Sequence, residues 1–292
     1  MRGDAEAHEL VAPGSLAAVL ELMAEAPGQW TPIAGGTELM IAHSAGRLAA
    51  SKFISLWGIP DLRFIHSTPE TLVIGAGATF TDMRTDAAIA SDFPLLARAA
   101  TWIGSIANQN RATLGGNLVN GSPAADSSPA LLVYDAEVEI VSLRGRRRIA
   151  YSAFHTGYKK NVLAPDELVL AIHLPRRFKS HRQYIRKVGT RRAMAIAKVA
   201  LAGTALLEGA IVREIRLAAA SLAAFPARLY RTEDAICGKR VDAESIGAAR
   251  AALLAEVLPI DDIRSTAEYR RSVATNLLGE FLNTLRAPER RQ

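Results

Sequence analysis

Two diglycine pairs, Gly35-Gly36 and Gly115-Gly116, stand eighty residues apart and constrain this chain more than any other feature. Residues 30–34 read as a strand that runs into the first pair, and a helix is expected to start at Thr37. Glycines let the backbone approach a ligand closely, and amides at a helix start point at an anion such as a pyrophosphate. A single pair of this kind serves equally well as a plain turn between strand and helix. The second pair lies in residues 112–126, which add Thr113, Asn117, Asn120 and Ser122 as hydrogen-bonding side chains and Asp126 as a carboxylate able to grip a hydroxyl. A polar surface loop has the same composition, but long ordered loops within domains are more often functional, and this inventory suits a ligand with a diphosphate and a polyol.

Several function classes lack their required parts. The sequence holds no dinucleotide Gly-x-Gly-x-x-Gly fingerprint, no Walker loop and no Ser-His-Asp order, so the chemistry is expected to come from a cofactor. The one cysteine, Cys237, excludes an internal disulfide. It also excludes an iron–sulfur cluster ligated by this chain alone, which needs about four thiolates. Cys237 itself reads as a buried or inert thiol. Six scattered histidines without metal-ligand spacing make a bound metal an unexpected component. A net charge of +6 suits an anionic partner, but the basic residues are dispersed apart from Arg144 and Arg146 to Arg148, and aromatics are only 6%, so nucleic-acid binding is not expected. That arginine cluster reads more simply as a solvated hairpin than as a face for an acidic partner. No run reaches the ~20 apolar residues of a membrane span, residues 1–10 lack the apolar core of a signal peptide, and the expected location is the cytoplasm.

The 292 residues suggest about two domains. Strand, helix and strand are expected at residues 9–11, 16–24 behind Ser15 as N-cap, and 30–34, with a further strand at 53–56. A strand at 71–76 precedes a helix expected over 93–107 on Leu95, Leu96, Ala99, Trp102, Ile103 and Ile106. Residues 114–129 read as a long loop, followed by strands at 136–143, 146–150 and 168–174. After a boundary at 175–179, strands at 184–188, 199–208 and 212–220 precede helices at 232–236, 243–256 and 267–285. The last helix is expected to bury Tyr269, Val273, Leu277 and Phe281 on one face, giving a sheet with helices on one side.

The two diglycine segments, with Ser122-Pro123-Ala124-Ala125-Asp126 behind the second, resemble the FAD-binding medium subunit of the xanthine dehydrogenase and carbon monoxide dehydrogenase family of molybdenum hydroxylases. Residues 154–160, 187–192 and 267–271 resemble it in the same order, so the likeness spans nearly the whole chain. It implies an α+β fold, with a two-lobed FAD-binding domain of the vanillyl-alcohol-oxidase type over residues 1–176 (lobes 1–58 and 59–176) and a C-terminal α+β domain over 177–292. The resemblance places the FAD diphosphate between the two loops, with Ala34, Gly35, Gly36, Thr37, Glu38 and Leu39 on one side and Thr113, Gly115, Gly116 and Asn117 supplying amides from the other. Asn120, Ser122 and Asp126 would hold the ribityl and pyrophosphate region, Ile103 would lie near the flavin, and Lys187 would sit at the flavin edge. The chain departs from the xanthine dehydrogenase branch in having Ala195, not an acidic residue, before Ile196-Ala197.

The implied function is electron transfer. Molybdopterin on a large subunit and two 2Fe-2S clusters on a small subunit would feed the FAD, which passes electrons to a terminal acceptor, within a dimer of heterotrimers. Two other readings stand beside it. One is a scaffold of the same fold with an empty flavin site. The other is a free-standing FAD oxidoreductase, which needs a general base near the ring and has only Tyr158 and His155 to offer.

Overall fold

The computed structural model describes residues 8–191 and 193–286. The first lobe is a three-stranded parallel sheet of β1 (Glu9–Val11), β2 (Thr31–Ile33) and β3 (Lys52–Ser55) in the order β1-β3-β2. Helix α1 (Leu16–Glu25) crosses between β1 and β2, capped by Ser15, whose hydroxyl accepts from the Ala18 amide at 3.2 Å. Its buried stripe of Leu16, Val19, Leu20 and Met23 has helical spacing. Helix α2 (Leu39–Ser44) follows the first diglycine and starts two residues later than expected, with Glu38 as its N-cap.

The second lobe is built on a five-stranded antiparallel sheet, ordered β4 (Ile65–Ser67), β5 (Thr71–Gly75), β10 (Leu168–Pro175), β6 (Glu137–Ser142), β7 (Gly145–Ala150). The central strand β10 is apolar almost throughout because both faces are covered. Ile172 and Leu174 join the main core, whereas Leu168 and Leu170 pack with α1 of the first lobe. The arginine-rich β7 is an edge strand, and its charges are paired within the lobe, Arg147 with Glu167 and Arg146 and Arg148 with Glu139, as is Arg144 of the preceding turn with Asp166. A small hairpin of β8 (His155–Gly157) and β9 (Lys160–Asn161) stands apart from this sheet.

Six helices, α3 (Phe80–Thr85), α4 (Ala87–Asp92), α5 (Pro94–Ala100), α6 (Ile106–Gln109), α7 (Leu114–Asn120) and α8 (Ser128–Val133), connect β5 to β6. Two expectations change here. The helix expected over 93–107 is α5 and α6 separated by a turn, because Gly104 takes φ +46° and Ser105 starts a new helix with a capping box to Asn108. Ile106 is consequently 68% exposed and belongs to no core face. The loop expected over 114–129 contains α7 and the start of α8. Thr113 caps α7 through its hydroxyl on the Gly116 amide at 3.1 Å, and Gly121 in the left-handed region ends it.

The C-terminal sheet runs β11 (Arg182–Val188), β12 (Val199–Glu208), β13 (Ile211–Ala220), β14 (Ala227–Arg228). Alternation along β12 and β13 divides large from small side chains. Val199, Leu201, Ile215 and Leu217 pack against α9 (Tyr230–Ile236), α10 (Ala243–Glu256) and α11 (Ala267–Leu285). Ala202 and Ala218, on the opposite face, belong to the core of the second lobe, where α8 lies against β12 and β13. Helices thus cover both faces of this sheet, not one. The small residues let the second lobe approach closely. Helix α11 buries Arg270, Ala274, Leu277, Leu278 and Phe281, while Tyr269 is exposed, so the buried stripe is rotated from the one expected. Cys237 is exposed, with its thiol 3.5 Å from the Arg213 carbonyl oxygen.

Charged side chains tie the two parts together at Asp135, whose φ of +48° places it in the turn after α8. Its carboxylate meets Arg177, Arg216 Nε at 3.2 Å and Arg228 Nη1 at 2.5 Å. Arg228 in turn grips Glu233 with two bonds of 2.7 Å.

Candidate functional site

The two diglycine segments meet. A side chain at Gly35 would overlap the carbonyl oxygen of Arg111, immediately before the Ala112-Thr113 entry to α7. Gly36 adopts φ +73°, a conformation that favours glycine, and turns the chain from β2 toward α2. Among the described residues, the amides of Gly35, Gly36, Thr37 and Glu38 have no acceptor, whereas the Gly36 carbonyl accepts from Met40 at 2.9 Å. Four consecutive amides without an acceptor among the described residues, three on half-buried positions and the last on the exposed Glu38, are a donor run suited to an oxyanion.

The second pair is used differently. The amides of Leu114 and Gly115 donate to the carbonyls of Ala78 and Ala76, both at 2.9 Å, and Asn117 donates to the Thr113 carbonyl at 3.0 Å. With the Gly116 amide taken by Thr113 Oγ, the α7 amides from Leu114 to Asn117 are engaged within the chain. Gly115 is required because a Cβ there would lie 2.6 Å from that of Ala76. Asn117 Oδ1 accepts from Ser127 Oγ at 2.6 Å, leaving its amide group to donate elsewhere. Asn120 and Ser122 are half-buried where α7 ends, and Ser122 Oγ accepts from the Ala124 amide at 3.3 Å.

Asp126 and Lys187 form the charged part of the site. Lys187 Nζ donates to Asp126 Oδ2 at 2.7 Å and lies 3.4 Å from the Trp102 carbonyl oxygen, in the turn that carries Ile103. Both side chains are only 10% exposed. Asp126 Oδ1 is buried with no hydrogen-bond partner among the described residues. Burial pushes the Asp126 carboxyl up to about 6, against the opposing pull of Lys187. The pair joins β11 to the segment after α7, and Ser221 reinforces the junction by donating its amide to the Pro123 carbonyl at 2.8 Å. Expected residues from three parts of the sequence therefore converge. Arg192, at the end of the resembling segment 187–192, lies outside the described residues.

The β8–β9 hairpin closes the side between α2 and α7. Lys159 pairs with Glu38 at 3.2 Å, Asn161 Nδ2 donates to the Val119 carbonyl at 3.3 Å, and the Lys159 backbone abuts Gly121. Tyr158 is exposed at its tip. His155 is buried beneath it, 3.3 Å from the Tyr151 hydroxyl, and burial lowers its pKa.

A run of free amides fits a pyrophosphate, and a buried, unsatisfied carboxylate oxygen fits a hydroxyl or N–H donor; FAD offers all of these groups. The family comparisons agree. Residues 6–177 match the model described as the FAD binding domain in molybdopterin dehydrogenase, and residues 184–285 match the CO dehydrogenase flavoprotein C-terminal domain. This chain belongs to the FAD-binding subunits of the molybdopterin dehydrogenases. It is 32% identical to the xanthine dehydrogenase FAD-binding subunit of Escherichia coli O157:H7, over 88% of each chain. It is 27% identical to the carbon monoxide dehydrogenase medium chain of Hydrogenophaga pseudoflava, over 94% of this chain and 96% of that one. A solved structure of carbon monoxide dehydrogenase from the same organism superposes with a TM-score of 0.90, covering 96% of this chain and 98% of its counterpart at 27% identity. The chain is accordingly an FAD-dependent oxidoreductase subunit of mixed α and β fold, and no helix of the described residues is long and apolar enough to cross a membrane.

Sequence reasoning missed several residues around this flavoprotein's site. The Arg111 guanidinium lies 3.9 Å from the centroid of the Trp57 ring, beside the first loop. Ser127 holds Asn117, and Gln109 holds the turn at Ile103. None has a sequence signal of its own. Ser127 and Gln109 sit beside motif residues but act through contacts made only in the folded chain.

Proposed function

We propose that this chain is the FAD-binding electron-transfer subunit of a cytoplasmic molybdenum hydroxylase. Electrons would arrive from 2Fe-2S clusters on a small subunit, fed by molybdopterin on a large subunit, and leave for a terminal acceptor. The assembly would be a hetero-hexamer, a dimer of heterotrimers. Residues 1–176 would form the FAD-binding domain, with lobes 1–58 and 59–176, and residues 177–292 the C-terminal domain.

The observation that carries this reading is the run of amides from Gly35 to Glu38 without acceptors among the described residues, docked against Arg111 at the entry to α7, the segment after which holds the Asp126–Lys187 pair. The loop amides would bind the diphosphate, with Ala34 and Leu39 bounding the run. The second pair, whose amides are engaged, would contribute a rigid wall, while the Asn117 and Asn120 side chains and Ser122 reach toward the ribityl chain. Asp126 Oδ1 would accept a hydrogen bond from the cofactor. Lys187 would place a positive charge at the flavin edge, favouring electron-rich forms of the ring, and Ile103 would exclude water beside it. Bound FAD would supply both one- and two-electron chemistry, which suits a link between single-electron clusters and other acceptors. Tyr158 is too exposed and His155 too enclosed to favour either as a base facing a substrate.

The test is an absorption spectrum of the purified full chain before and after denaturation. About one FAD per chain, with bands near roughly 370 and 450 nm, is the expected result. A colourless chain, even after co-expression with its neighbouring subunits and added FAD, favours the scaffold reading.

A further inference from the structure

One buried polar side chain beside the site has no part in the function proposed above. Gln109, at the end of α6, is 4% exposed. Its Nε2 donates to the carbonyls of Thr101 at 3.2 Å and Ile103 at 3.0 Å, and its Oε1 accepts from Arg84 Nη1 at 2.5 Å. Two carbonyl acceptors on one side and a guanidinium donor on the other determine which end of the amide is oxygen. Residues 101–104 make the turn between α5 and α6, and a side chain at Gly104 would fall 2.8 Å from Asn108. The turn carries Ile103, and it carries the Trp102 carbonyl that faces the Lys187 ammonium at 3.4 Å.

We infer that Gln109 is a positioning residue for the flavin end of the site: by tying down both ends of the Thr101-Trp102-Ile103 segment it sets Ile103 and the second oxygen facing Lys187. The inference rests on the function proposed above. A turn with a left-handed glycine lacks a continuous helix ladder, so these two side-chain bonds replace backbone bonds the segment would otherwise make. When the turn loosens, Lys187 keeps Asp126 as its only side-chain anchor among the described residues, and its ammonium swings. Arg84 belongs to the same device, because it prevents the Gln109 amide from reversing.

The test uses the full chain as wild type, as Gln109→Glu and as Arg84→Met. FAD affinity, the visible circular dichroism of the bound flavin and its midpoint potential are measured, together with hydrogen exchange of residues 101–104 without FAD. Gln109→Glu sets carboxylate oxygen against two carbonyls, and is expected to weaken FAD binding about tenfold, lower the potential, alter the flavin dichroism and speed exchange in the turn. Arg84→Met, which alters an exposed side chain and spares the core, is expected to move all four readouts in the same direction by a smaller amount. Wild-type affinity, dichroism and potential in both variants would overturn the inference, even if their melting temperatures fall, since that outcome describes a purely structural residue. If Gln109→Glu does not fold, Arg84→Met alone decides on the same readouts. A wild-type chain that takes up no FAD overturns the proposed function and this inference with it, whereas unchanged flavin readouts in variants of an FAD-binding chain overturn only the latter.

Discussion

The first and second diglycines look alike in sequence and do opposite things in the structure. At Gly35-Gly36 the absence of side chains lets the loop press against the Arg111 carbonyl and leaves its amides without acceptors among the described residues. At Gly115-Gly116 it lets a helix lie against Ala76, whose carbonyl takes the Gly115 amide, while Thr113 Oγ takes that of Gly116. One pair makes a donor surface and the other makes a wall. Glycine is a statement about clearance, and what occupies the clearance decides whether a ligand or the protein's own backbone is being accommodated.

Substitutions separate the two roles, and the largest effect on FAD binding is expected where a Cβ meets backbone. Gly35→Ala drives a methyl into the Arg111 carbonyl and should undock the two loops, abolishing FAD binding; retention of stoichiometric FAD in a titration would break the assigned geometry. Gly115→Ala meets Ala76 at 2.6 Å and should lower stability by about 1–3 kcal/mol through overpacking, with FAD binding weakened only as the fold weakens.

Lys187→Met is next. Leaving Asp126 buried without its cation should cost about 3–5 kcal/mol at pH 8. The sign of its pH dependence follows from Asp126, whose carboxyl burial has already raised to about 6. A raised carboxyl favours the protonated form in the folded chain, and losing Lys187 raises it further. The penalty should therefore shrink as the pH falls from 8 to 5 and Asp126 becomes neutral. Chemical denaturation of variant and wild type at the two pH values measures this, and an equal penalty at both would contradict the buried pair.

Smaller effects probe the loops themselves. Gly36→Ala forces a side chain into φ +73° where the nearest atoms are 3.5 Å away, so about 1–2 kcal/mol of backbone strain is expected with little steric clash, and FAD affinity should fall. Gly116→Ala meets only Thr113 Oγ at 3.0 Å and should change FAD affinity least of the four glycine variants.

Much of the fold was legible because periodicity and caps are local. Residues 243–256 and 267–285 form helices over the expected spans, and Ser15 caps α1 as expected. The break after α5 was not legible, since Leu95 through Ile106 keeps helical spacing across a turn that Gly104 and Gln109 impose. Helix α7 was hidden because its glycines and asparagines have low helix propensity; Thr113 and the packing against Ala76 override it. The alanines of β12 and β13 marked strands without revealing that the second lobe covers their other face. At the site, Asp126 and Lys187 were both expected, but their 2.7 Å contact joins residues sixty-one apart and depends on how the C-terminal sheet docks.

The contrast between the two diglycines is tested most directly by amide hydrogen exchange on the full chain, with and without FAD, resolved to single residues. The amides of Gly35 to Glu38 should exchange rapidly in the free chain and become strongly protected by FAD, while those of Gly115 to Asn117 should be protected in both states. Protection by FAD that appears at Gly115 to Asn117 and leaves Gly35 to Glu38 unchanged would contradict the assignment of the first loop as the diphosphate cradle.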